Sequence, residues 1–515
     1  MKRFRLTAAA LLLLAGTAVC GKTLTVGVAS GALSMDPHGF EEVATISILS
    51  NIFEAPVTLD GNLSVRPALA VSWENPEPTE WIVRLRRGVR FHNGSVFNAD
   101  DVLFSFDRIK HWARSGYRGE MAMIVSAEKI DDYTVRFTTR RPFPLFLKKL
   151  SRLWILDKET VEKRTDGWIA AHPVGTGPYR FVEWRRGDRI VLEADETYRE
   201  GKAVFDRVVF KPLTDSATRV AAILSGIVDL IDRVPTMDVK RIRRHREIRF
   251  YRRPGLRLIY LQMDQYRRHS PWIVSRDGKN PLLDRRVRRA LYYGIDEEAI
   301  VRYIMSGYAL PAGQLCPEPV FGYDPALKRP GYDPQKAKAL LKAAGYPDGF
   351  TIRLDAPNNR YVNDAKIAEA VAVSLAKIGI RVEVNAMPKS RFFAQVSRQE
   401  SSFFLIGWED IDGDAGSMMS SCIHTYDRRR GYGRYNNGRF SDPRFDRVFE
   451  ASEEVMDRAE RLRLLRKAQR IALVEDQCVI PLHFQVDLYA AKRSIRFRPR
   501  LDGQIRAYEI GEEAP

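Results

Sequence analysis

An apolar strand that runs straight into a cluster of acids constrains this chain more than any other stretch. Residues 403–414 read FFLIGWEDIDGD. Phe403-Phe404-Leu405-Ile406 has the length and composition of a buried strand. Gly407 and Trp408 follow, and then four carboxylates within six residues: Glu409, Asp410, Asp412 and Asp414. A buried strand cannot continue into that many unpaired carboxylates, because desolvating each charge costs too much. The strand is therefore expected to end in a polar place that solvent reaches. Two readings fit. One is the wall of a ligand cleft, with Trp408 as an apolar platform and acids beside it. The other is an acidic surface loop with Trp408 in the core. Asp410, Asp412 and Asp414 also have the alternate spacing of a calcium loop. The sixth and twelfth positions hold Ala415 and Ser421 instead of Gly and Glu, so the sharp turn and the bidentate ligand are missing.

The start of the chain is an address. Lys2, Arg3 and Arg5 precede an apolar core too short to span a bilayer, and small residues follow near Cys20 and Gly21. Residues 1–21 are thus expected to be a signal peptide, giving an exported, periplasmic protein. Lipid attachment at Cys20 is the weaker alternative, since branched Val19 precedes it. The chain has 515 residues and is expected to form more than one lobe. Its net charge of +18 falls by three without the signal segment. That charge is spread along the chain and no nucleic-acid motif accompanies it, so a solvated basic surface is expected rather than nucleic-acid binding. The densest run, residues 240–253 (KRIRRHREIRFYRR), reads as an exposed helix and the strand after it.

Beyond Cys20 the cysteines are Cys316, Cys422 and Cys478. No CxxC pair exists, which speaks against zinc and dithiol chemistry. Cys478 lies in an apolar helix-to-strand stretch and is expected to be buried and free. Cys316 and Cys422 read as loop residues, so a Cys316–Cys422 disulfide is expected in an oxidising compartment.

The most informative pattern lies nearer the start. Trp81-Ile82-Val83-Arg84-Leu85 alternates as a strand, Gly88-Val89-Arg90-Phe91-His92-Asn93-Gly94 turns, and Phe97-Asn98-Ala99-Asp100-Asp101-Val102 opens a helix with Asn98 as its N-cap. This "W…L…GV.FHNG..F.ADDV.FS" pattern resembles the family 5 extracellular solute-binding proteins of bacterial ABC importers. Further motifs follow in the same order. They include Pro173-Val174-Gly175-Thr176-Gly177-Pro178-Tyr179, Tyr198…Gly201…Asp206, Arg219…Ser225-Gly226…Asp229, Asp284…Arg288-Arg289-Ala290-Leu291…Asp296, Asp333-Pro334…Ala344-Gly345-Tyr346, and Pro481-Leu482. Together they cover nearly the whole chain after the signal.

The resemblance implies an α/β fold of two lobes joined by a hinge, a periplasmic binding protein of type II, cluster C-like, with an inserted subdomain. Residues 22–55, 175–262 and 485–515 would form the base of the first lobe, 56–174 its insertion and 263–484 the second lobe. Strands and helices alternate through 263–484, which agrees independently. The resemblance also implies a monomer that takes a small peptide-like solute to an inner-membrane ABC permease without a cofactor. Enzyme readings lack support: there is no G-x-S-x-G, H-E-x-x-H or G-x-x-x-x-G-K, and the eight histidines are scattered. A periplasmic hydrolase is the alternative of another class.

Trp408 falls where peptide binders of this family carry a cleft Trp. Those proteins place, three residues later, an Asp that pairs with the peptide α-ammonium. Here that residue is Ile411. Either Asp410 or Asp412 takes over through a one-residue shift that Gly413 would permit, or the ligand is an opine, a sugar conjugate or a metal chelate. The shift is the expectation adopted here. Ser34 and Met35, in the turn after the first strand, are further candidate contacts. Arg391 and Arg360 are candidates to hold ligand carboxylates.

Overall fold

Two long strands, Ile248–Met263 and Val479–Lys492, run antiparallel through the middle of the protein. The computed structural model describes residues 21–513. Residues 1–20, which hold Cys20 and all of the expected signal peptide but Gly21, lie outside the described residues. Both strands are dense in β-branched and aromatic residues, which suit a pleated, buried surface. Their pairing runs from Ile248–Lys492 to Pro254–Val486, shifts, and resumes at Leu258–Phe484. The shift falls where Pro254 has no N–H to give the ladder and Gly255 leaves no room for a side chain, its Cβ position lying 2.7 Å from an Asp487 carboxylate oxygen.

Around this pair one twelve-stranded sheet is assembled. On one side Leu230–Ile231 joins the 479–492 strand, followed by the first strand, Thr23–Val28, and then Arg207–Pro212, Arg189–Ala194 and Tyr179–Arg185. On the other side Phe403–Glu409 pairs antiparallel with residues 257–263, and Thr351–Pro357 continues in parallel. Helices alternate with these strands, so the expected α/β class holds. The 248–263 strand keeps its 479–492 partner on both sides of the shift and takes Phe403–Glu409 on its other edge from Arg257 onward.

The inserted segment has its own four-stranded antiparallel sheet, in the order Ala70–Glu77, Glu80–Leu85, Thr134–Thr139, Ile124–Asp131. Its helix Ala99–His111 opens with a capping box between Asn98 and Asp101. The family motifs here are structural joints. His92 Nε2 lies 2.9 Å from the Gly177 carbonyl, and the Gly177 N–H donates to the Ile52 carbonyl at 2.8 Å. A Cβ on Gly175 would sit 2.0 Å from that Ile52 oxygen, so the glycines permit two backbones to touch.

Two expectations are corrected. Cys422 is in a buried helical turn, Met419–Ile423, and not in a loop. Cys316, Cys422 and Cys478 are all buried free thiols, so no Cys316–Cys422 disulfide is formed. Cys316 and Cys422 belong to one apolar cluster, which also holds Tyr260. Burial, far more than any neighbour, holds the Cys316 and Cys422 thiols well above their ordinary range and therefore unreactive. Thiol titration of the unfolded protein without reductant should find all three of these cysteines reactive. Native protein should protect them. Two missing equivalents in the unfolded state would restore the disulfide.

Candidate functional site

The acids at the end of the Phe403–Glu409 strand do not reach solvent. Asp410, Asp412 and Asp414 are 2%, 4% and 1% exposed. The inserted segment supplies the cations that make this burial tolerable. Lys149, just inside the short helix Phe146–Leu150, donates to Asp412 at 2.6 Å and to Glu120 at 2.6 Å. Lys148 donates to the Asp412 carbonyl at 2.5 Å, and Arg152 to the Ile411 carbonyl at 3.2 Å. Arg461 grips Asp414 bidentately at 2.6 and 2.9 Å. Burial works against the charge on Asp412, but Lys149 and Arg152 overrule it and keep its carboxyl below the usual range. Asp410 has no such help. Burial first, then Asp412 and Asp414, hold its carboxyl well above the usual range. Neither of its oxygens makes a good hydrogen bond, the Asp414 amide being a weak donor at best.

This junction closes one end of a cavity of about 600 Å³. The cavity lies between residues 41–46 with 502–504 on one side and residues from the 257–260, 360–361, 393–397 and 406–411 stretches on the other. Trp408 and Ile411 both line it, and Asp410 and Asp412 do not. The chain thus keeps Ile411 facing the cavity, and the expected one-residue shift does not occur. The chain turns after Glu409, and on the side of that turn away from the cavity the Asp412 carboxylate meets Lys149 while its carbonyl meets Lys148. Trp408 is half-buried, with its ring centroid 5.4 Å from that of Tyr435.

The other predicted contacts fall elsewhere. Met35 is in the core, and the Ser34 hydroxyl accepts from the Asp36 amide in a turn bolted to Arg108. Arg391 is exposed on the helix Lys389–Ser397, whose Phe393, Val396 and Ser397 line the cavity from another face. Arg360 does line it.

Several lining residues went unread in the sequence. Arg257 is the register partner of Glu409 and forms an ion pair with it. Arg233 and Arg360 make no side-chain hydrogen bond and no ion pair among the described residues. Arg233, Arg257 and Arg360 also line an adjoining cavity of about 150 Å³ that Glu41, Trp408 and Ile411 do not reach. Asp232, Glu409, Asp487 and Asp502 line that adjoining cavity as well, so arginines and carboxylates are mixed at this end of the cleft. Three buried polar atoms of the lining residues, Trp408 Nε1, Arg152 Nε and Glu41 Oε1, have no partner. Burial, then Glu120, pushes the Glu41 carboxyl up to about 8. Nothing in a window of local sequence marks Glu41, Arg152 or Arg257, since each gains its role from a distant segment. Among the described residues no cluster of His, Cys, Asp and Glu could hold a metal ion, and no helix is long and apolar enough to cross a membrane.

A two-lobed α/β frame with a ligand-sized cleft between its halves is the architecture of solute-binding proteins. The chain is 28% identical to the glutathione-binding protein GsiB of Pectobacterium atrosepticum over 87% of its own length and 86% of that protein's. The structure superposes on HbpA2 of Haemophilus parasuis with a TM-score of 0.84 at 25% identity, covering 96% of this chain and 100% of that one. On the DppA-type protein of Helicobacter pylori, solved with the peptide STSA, the TM-score is 0.78 at 26% identity, with 96% and 98% covered. The family model "Bacterial extracellular solute-binding proteins, family 5 Middle" matches residues 64–429, and the chain belongs to that family.

Two substitutions test the buried junction. Lys149→Met leaves Asp412 and Glu120 buried without their cation and should cost about 3 kcal/mol or more in a denaturant titration. Asp410→Asn should act oppositely. The folded protein holds the Asp410 proton more tightly than the unfolded chain does, so this site loses stability as pH rises above the unfolded value of about 3.9. The Asn variant should therefore melt at a higher temperature than the parent at pH 7, with the difference shrinking at pH 4.

Proposed function

We propose that this protein is an exported receptor that binds a peptide-like solute carrying at least one carboxylate and presents it to an inner-membrane ABC permease. One observation carries the proposal: Arg233 and Arg360 line the cleft without an ion pair among the described residues, beside an aromatic wall of Trp408 and Tyr435. An uncommitted guanidinium in a cleft is matched by a ligand carboxylate, which it can grip bidentately. The glutathione-binding and peptide-bound relatives support a ligand of this kind. The reading has no catalytic step.

Closure is the proposed mechanism. The register shift at Pro254–Leu258 and the facing residues 484–486 are the proposed hinge, because pairing is weakest there. A ligand that touches both walls stabilises the closed form by its extra contacts. The lobe division proposed with it takes the expected boundaries, with the first-lobe strand ended at the proposed hinge near Pro254 in place of 262. A second reading, an opine, sugar conjugate or metal chelate, is favoured by one observation: apolar Ile411 faces the cavity where an acid would meet an α-ammonium.

Mass spectrometry of solute released from the exported protein by mild denaturation identifies the ligand class, and incubation with peptides should raise the melting temperature without turnover. Trp408→Ala should weaken binding by more than about 1 kcal/mol while folding survives. Arg360→Gln should weaken carboxylate-bearing solutes and leave their amides unaffected. Normal binding by both variants would remove the cleft from consideration.

A further inference from the structure

We propose that Glu41 receives a cationic group of the solute, an α-ammonium or similar protonated amine, in the corner of the cleft that Ile411 leaves without an acid. The inference rests on the cleft being the solute site.

Four acids line the cavity, and three are committed. Glu42 caps the helix Val43–Leu49, accepting from the Thr45 amide at 2.6 Å. Glu409 is ion-paired with Arg257, and Asp502 accepts from Arg500 at 3.0 and 2.9 Å. Glu41 makes no ion pair among the described residues, and its Oε1 is buried without a partner. The groups facing it come from three elements: Tyr117 and Glu120 after the 99–111 helix, Lys149 and Arg152 around the 146–150 helix, and Asp412. Lys149 is already divided between Asp412 and Glu120, and Arg152 donates to the Ile411 carbonyl. That bond also locates the corner, because Arg152 adjoins both Ile411 and Glu41. A ligand amine beside Ile411 thus finds its acid across the cleft, on the wall formed by residues 41–46.

The pairing has a proton balance. Glu41 is held up to about 8 in the free protein and enters neutral. An ammonium that pairs with it favours the carboxylate, so the Glu41 proton leaves to solvent while the amine keeps its own. Binding at pH 7 should release up to one proton per ligand. Because the bound pKa lies below the free one, affinity should rise from pH 6 toward pH 8.

Titration calorimetry with glutathione and with Ala-Ala-Ala, each beside its N-acetyl form, tests the proposal. The parent should bind a free amine about tenfold or more tightly than its acetylated form. Glu41→Gln should bring the two within about twofold, and its ligand-free melting temperature at pH 7 should be no lower than the parent's, because burial holds the Glu41 carboxyl up in the folded protein. Retained preference in Glu41→Gln, or none in the parent, overturns the assignment. If the variant misfolds, the parent decides: heats that depend on buffer ionisation and show proton release support Glu41, and none at pH 7 overturns it. Equal binding of free and acetylated forms that Arg360→Gln abolishes refutes only the role of Glu41. Failure of all four probes refutes that role and the peptide-like reading together.

Discussion

The pairing of strands 248–263 and 479–492 is the constraint from which the rest of the molecule is hung. Each strand has neighbours from both halves: 479–492 holds the first strand's side through Leu230–Ile231, and 248–263 holds Phe403–Glu409. The sheet is therefore continuous across the protein, and any relative motion of its halves must be absorbed where the ladder is already interrupted. Pro254 and Gly255 make that interruption local. The same two strands deliver Arg257, Tyr260 and, through Phe403–Glu409, Trp408 to one face of the cleft.

The second dependence is electrostatic. A strand ending in acids would be an unstable interior feature by itself. Here cations from residues 148, 149 and 152 reach across from the inserted segment, and Arg461 closes the far side. This buried network joins segments more than two hundred residues apart. Removing one member would strand another charge, which makes such a network specific in geometry even where its net stabilisation is small. It also settles the chemistry of the adjoining cavity. With Asp412 turned toward Lys149, Ile411 and Trp408 line the cleft, and its remaining charge is set by residues from elsewhere: arginines mixed with carboxylates at one end, and Glu41 beside Arg152.

Much of the architecture was legible in the linear chain. The buried run Phe403–Ile406, the capped helix from Ala99, the α/β alternation through 351–387 and the order of the family motifs follow from local patterns of burial, capping and turn chemistry, which a window of ten or twenty residues contains. Those motifs also determined the class of the protein, because glycines such as Gly175 and Gly177 are required wherever the fold brings two backbones into contact. Trp408 was readable as a candidate for a cavity wall, because its position is tied to the end of a strand.

What only the tertiary structure decided is where each charge finds its partner. Whether Asp412 faces a ligand or a lysine depends on Lys149, which lies 263 residues away. Whether Arg391 or Arg360 enters the cleft depends on how the helix Lys389–Ser397 is rolled against the sheet. The Cys316 and Cys422 thiols are free and buried in one apolar cluster that no local pattern discloses. Electrostatic partnership and side-chain burial are long-range properties, set by the three-dimensional path of the chain. A sequence states which charges exist, and the fold alone decides which of them remain free to meet a ligand.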